Sequence, residues 1–186
     1  MTTRTWEDLQ LPTAGTFALD AAHTHIGFTV KHMMVSKVRG SFTDFAGTVT
    51  VAENPLDSSA QLSIKAGSIN TGIADRDGHL RSDDFLSTEK FPEITFRSTR
   101  VTGHSGDEFT LLGDLTIRDL TKQVELTVEY GGAGTNPWGQ DVWGFSITTE
   151  IDREEFGLTW NQALETGGVL VGKKIKIEIE GEANPA

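Results

Sequence analysis

The chain has 186 residues, which sets one domain as the default, and it carries no cysteine, which excludes disulfides, thiolate metal sites and thiol nucleophiles. Sixteen basic residues against 27 acidic ones give a net charge of −11, too few clustered cations for a nucleic-acid groove or for electrostatic docking on an anionic membrane. No apolar run nears the roughly 20 residues that cross a bilayer as a helix, and no apolar signal segment stands in residues 1–15, so the expected location is the cytoplasm.

Residues 1–14 read as an N-terminal extension, followed by a domain over 15–183. Residues 16–20 read as a short strand after a turn at Gly15. Residues 24–31 alternate, with Ile26, Phe28 and Val30 on one face and His25, Gly27 and Thr29 on the other. His32, Met33 and Met34 break that alternation, and a short helical turn is expected there. Residues 38–51 are long enough to bend or bulge, with Gly40 and Gly47 as the expected sites. Residues 54–57 form a loop, and 60–66 alternate again through Leu62 and Ile64. Residues 75–85 are charged and poor in β-branched side chains. A short helix is expected, capped by Asp75 and carrying an Asp77–Arg81 pair at i,i+4. Strands return at 94–101, 108–117, 124–130, 142–150 and 175–180, with a hairpin turn at 103–106 and a flexible loop at 131–138.

Eight or nine strands joined by short turns, with one helix inserted, predict an all-β antiparallel barrel or sandwich. A barrel of about eight strands is wide enough to be filled by side chains or to hold one slender ligand. Ten Phe, four Trp and three Met against a single Tyr supply many large apolar side chains for the interior. Burial in a packed core is their ordinary use; Met33 and Met34 also suit an adaptable apolar wall.

Chemistry is sparse. His23 and His25 at i,i+2 point the same way on a strand, and His32 is the nearest third ligand, but no metal motif accompanies them. A hydrolase built from His79, its neighbouring Asp residues and Ser82 lacks a nucleophile motif, and one helix does not bring His79 onto Ser82. Glu154 and Glu155 are adjacent and diverge, which makes them solvated charge. The run 167–172 lacks the Lys-Ser/Thr ending of a phosphate loop. No catalytic residue and no metal ligand is assigned.

Four segments, taken together, carry a resemblance to a known family. The first is Asp20-Ala21-Ala22-His23-Thr24-His25-Ile26-Gly27-Phe28 through Met33, with Val38-Arg39-Gly40-Ser41-Phe42 and Phe45-Ala46-Gly47. The second is Arg76-Asp77, then His79-Leu80-Arg81-Ser82-Asp83-Asp84-Phe85, closing on Phe91-Pro92-Glu93-Ile94-Thr95-Phe96. The third is Gly113-Asp114-Leu115-Thr116-Ile117-Arg118-Asp119-Leu120-Thr121, with Val124 and Leu126. The fourth is Arg153-Glu154-Glu155-Phe156-Gly157-Leu158 with Trp160-Asn161, then Glu165-Thr166-Gly167-Gly168 and Val171-Gly172.

In order and spacing these segments resemble the YceI-like family of bacterial polyisoprenoid-binding proteins, and the resemblance implies an extended, eight-stranded, lipocalin-like antiparallel barrel whose apolar tunnel holds a long isoprenoid chain, polyprenyl or quinone-type, without catalysis and without a required cofactor. Many members carry an export signal that is missing from residues 1–15. Residue type and alternation select Phe28, Val30, Met33, Met34, Phe42, Phe45, Phe85, Phe91, Phe145 and Trp160 as expected wall residues, and His32, Arg81 and Asn161 as expected head-group contacts. The competing readings are an enzyme with a His-centred site acting on a small apolar or isoprenoid substrate, and a filled barrel serving as an interaction module. A homodimer covering a sheet edge is a further expectation; nucleic-acid binding and stable membrane insertion are not.

Overall fold

A computed structural model describes residues 3–186. The chain opens on a separate two-stranded hairpin, β1 (Thr3–Trp6) and β2 (Leu9–Pro12). It continues through β3 (Gly15–Leu19), β4 (His25–His32), β5 (Ser36–Phe42), β6 (Phe45–Val51), β7 (Ser59–Lys65) and the two-residue β8 (Ile69–Asn70). The helix α1 (Ala74–Arg81) follows, then β9 (Glu93–Ser105), β10 (Glu108–Ile117), β11 (Leu120–Thr135), β12 (Asp141–Asp152) and β13 (Val171–Pro185).

Eight of these strands close a ring in the order β3-β6-β7-β9-β10-β11-β12-β13, with β13 returning to β3. Every neighbouring pair is antiparallel. The last strand joins the ring to a side wing. Its Ala183–Pro185 end pairs with β3, while its earlier part pairs with β4, so that β4, β5 and β8 extend the wall at one end.

Alternation builds the interior. Along β13, Ile175, Ile177 and Ile179 point inward while Lys174, Lys176, Glu178 and Glu180 are exposed. Ile175 and Ile177 are nonetheless only half-buried, because the space they face is a void. The buried cluster continues around the ring through Phe17, Ile64, Phe96, Leu115, Leu126, Trp143 and Phe145.

Several local expectations are corrected. Residues 32–35 form a tight β-hairpin turn, not a helical one: the Val35 amide donates to the His32 carbonyl at 3.1 Å, and both Met33 (φ 52°) and Met34 (φ 62°) are left-handed. Residues 38–51 are two strands broken at Thr43-Asp44, and Gly40 and Gly47 serve close packing in place of a bend: a side chain at Gly40 would meet the Phe28 ring, and one at Gly47 would meet Leu19. In α1, Ile73 takes the N-cap position without a side-chain cap. Asp77 turns inward to accept from the Thr71 amide at 2.8 Å and hydroxyl at 2.5 Å, and Arg81 donates to the carbonyls of Gly67 and Ile69 in place of an ion pair. Most of 131–138 is strand: β11 runs through Thr135, with a register shift at Gly132, whose φ is 106°.

Candidate functional site

The barrel encloses a cavity of about 300 Å³ whose surface is apolar throughout. That volume lies at the lower bound of about 300 Å³ usual for small-molecule pockets. Period-2 alternation delivers the wall: Ile26, Phe28 and Val30 come from β4, Leu62 and Ile64 from β7, and Val124, Leu126 and Val128 from β11. Ile147 and Ile151 on β12 and the three isoleucines of β13 complete it. Leu80 of α1, with Phe85 and Leu86 just after it, closes one end together with Leu158 and Val171.

A second cavity of about 130 Å³ lies at the opposite end. Val49, Ala60, Leu111, Val128, Trp143 and Phe145 line both cavities, so the two spaces adjoin at these residues. Leu11 and Pro12 of β2 line the second cavity, beside Val51, Pro55, Phe109 and Tyr130. The indole N–H of Trp143 is buried at that junction without a hydrogen-bond partner, its ring edge-on to Phe17 at 5.8 Å.

Arg153 is the one charged residue on the wall of the main cavity among the described residues, and it is 2% exposed. Its Nε donates to the Gly172 carbonyl at 2.8 Å, Nη1 to those of Leu158 (2.6 Å) and Trp160 (2.9 Å), and Nη2 to that of Val171 (3.3 Å). Burial pushes its pKa down, against the pull of Glu154 and Asp152. The guanidinium keeps its proton, and its donors are spent on backbone. It fastens the return loop 157–172 to the barrel end. Sequence reading passed over it because its partners are carbonyls, which no sequence pattern displays.

Of the residues selected from sequence, Phe28, Val30, Phe42, Phe85 and Phe145 stand on the cavity wall. The rest are placed elsewhere. Met33 and Met34 occupy the exposed hairpin turn at 44% and 65% exposure, and His32 sits beside them at the strand end. Phe45 pairs with Ile64 across β6 and β7 and packs on the core without lining the void. Phe91 lies under the Arg118 guanidinium at 5.7 Å. Trp160 packs against the rings of His79 (4.6 Å) and Phe85 (5.4 Å), one layer behind the wall. Arg81 is committed to carbonyls. Asn161 exchanges both its amide groups with the Val171 backbone, at 2.8 and 3.0 Å. The wall is mostly Ile, Leu and Val, a signal present in the alternating runs 62–64, 124–128 and 175–179.

Histidine does not converge on the cavity. His23 is exposed and bonds Asp20 at 2.8 Å; the pair raises the imidazole pKa and lowers that of the carboxyl. Asp20, His23 and Glu182 bring three ligand atoms within 4.8 Å of one another, the one such group among the described residues; His25 and His32 lie outside it. Among the described residues, no helix is long and apolar enough to cross a membrane.

A closed antiparallel barrel with an apolar void and a helix at one end defines a lipocalin-like barrel. The chain belongs to the YceI-like domain family, whose match covers residues 17–183. It is 43% identical over 168 residues to a UPF0312 protein of Staphylococcus aureus strain bovine RF122, covering 89% of this chain and 95% of that one. Among solved structures, the Campylobacter jejuni YCEI protein superposes with a TM-score of 0.71 at 32% identity, covering 90% of this chain and 96% of that one. Burkholderia cenocepacia BcnA superposes at 0.77 with 21% identity, covering 88% and 98% of the two chains. A polyisoprenoid-binding domain from Saccharophagus degradans superposes at 0.67 with 14% identity, covering 91% and 98%. The last two likenesses show the fold.

Proposed function

We propose that the barrel binds an isoprenoid lipid, polyprenyl or quinone-type, by its apolar chain, for storage or carriage and without catalysis. One observation carries the reading: the void is walled by carbon, so it rewards chain burial and offers nothing to a polar substrate. Each methylene withdrawn from water stabilises binding by roughly 0.8 kcal/mol before ordering costs. A head group would lose its hydration without compensation inside, so it belongs outside the wall. The name of the Saccharophagus degradans neighbour, a polyisoprenoid-binding domain on the same fold, supports the ligand class. Against a His-centred enzyme, no histidine lines the cavity among the described residues, and the wall's one cation is bound to four carbonyls.

Organic extraction of natively purified protein, followed by mass spectrometry, tests the proposal. A near-stoichiometric isoprenoid is expected. An empty extract, together with failure to take up prenols or quinones on reloading, would overturn it.

A further inference from the structure

We propose that the second cavity is the subsite for the distal end of the bound chain, and that the N-terminal hairpin, through Leu11, is the stop that sets the chain length accepted. This rests on the lipid-binding reading above.

The hairpin is an addition to the barrel. It lies before the family match at residue 17, pairs with no barrel strand and forms its own two-stranded sheet. Its tip and edges are tied to the rim by polar and aromatic contacts. The Tyr130 hydroxyl donates to the Gln10 carbonyl at 2.7 Å, and burial pushes that phenol's pKa up to about 12, which keeps it a donor. The Arg4 guanidinium donates to the carbonyls of Ala52 and Glu53. Trp6 packs on His104 at 4.7 Å, and His104 bonds Glu7 at 2.8 Å. These anchors hold two apolar residues, Leu11 at 5% exposure and Pro12, over the barrel's end.

Volume gives the stop a consequence. The main cavity, of about 300 Å³, is the larger of the two and takes the first part of the chain. The second adds about 130 Å³. The two spaces meet at six shared wall residues, and beyond them stands Leu11. A chain that outgrows the main cavity therefore reaches the hairpin next.

The test uses full-length protein and all-trans prenols of rising length, geraniol, farnesol and geranylgeraniol, displacing a fluorescent apolar dye. Wild type should gain affinity with length up to a limit and then stop gaining. Leu11→Ala, which enlarges the end space, should move that limit to longer prenols and tighten geranylgeraniol by about tenfold. Leu11→Trp, which fills it, should move the limit to shorter ones. Geraniol, the shortest of the three and the least able to reach Leu11, should bind all three proteins alike, and this doubles as the check on folding. If Leu11→Trp does not fold, the direction of the Leu11→Ala shift decides. The same limit in wild type and Leu11→Ala, with binding intact, overturns the stop and leaves the lipid reading standing. No prenol binding by any of the proteins overturns both.

Discussion

Phe145 lies across Gly181 on the neighbouring strand: a Cβ on Gly181 would stand 2.6 Å from the Cζ of Phe145 and 2.9 Å from the Thr24 hydroxyl. That ring lines both cavities where they meet. Gly181→Ala forces Phe145 or the β13 backbone to move. We expect destabilisation of about 1–3 kcal/mol, read from urea denaturation, as for other overpacked interiors.

Arg153 holds four carbonyls with one side chain. Lysine has neither the fork nor the reach to replace it. Arg153→Lys should cost about 2–4 kcal/mol, since buried carbonyls are left without donors. Hydrogen exchange should show the loss first in residues 157–172, with the far side of the barrel protected as before. Uniform loss across the barrel would contradict a local clamp.

The turn at Met33-Met34 needs positive φ at both central positions, which Asn-Gly adopts with less strain than two methionines. Replacing the pair by Asn-Gly should stabilise the fold by about 1 kcal/mol, measured as an increase in the denaturation midpoint. Lipid retention should not change, because neither methionine is on the cavity wall.

Acid stability should depend on Asp77. The Thr71 hydroxyl holds its carboxyl below the ordinary carboxylate value; burial opposes this, and the Thr71 amide and the charges of Arg81 and Arg76 add to it. With the folded pKa below the unfolded one, the unfolded chain binds more protons between the two values, so stability falls as pH falls through that interval. The contribution is complete above about pH 4 and is lost as the pH drops through the folded pKa. Asp77→Asn should be clearly less stable than wild type at about pH 6, with the gap narrowing at about pH 3. A gap that is constant with pH would assign the effect to geometry alone.

The strands with clean alternation were legible in the sequence, because one face of each meets carbon and the other meets water. Residues 108–117 match β10 end for end, and the inward set Ile175, Ile177 and Ile179 falls where its spacing places it. The wall was legible only in part. Large rings were favoured over aliphatic side chains, yet inward strand positions are filled mainly by Ile, Leu and Val, which suit a pleated surface. Met33 and Met34 misled because an apolar pair at a turn offers no periodicity by which to place it. Arg81 and Asn161 look like head-group ligands as residue types; in the fold their polar atoms are taken by backbone groups distant in sequence. The hairpin at Thr3–Pro12 was also missed. Its Glu7-Asp8 turn places a non-glycine residue at φ 51°, and its alternation spans only four residues on each side.

The ring is sealed by its final 15-residue strand, which pairs with β12 on one side and with both β3 and β4 on the other. Synthesis runs from the N-terminus, so the ribosome releases a sheet with its carbon face open and two unpaired edges before it releases the segment that joins them. Closure is a late, long-range event, and the interval before it is when the nascent chain is most exposed to strand exchange with its neighbours. A stop codon that removes even the second half of β13 would therefore leave an open, self-adhesive sheet in place of a slightly shortened barrel.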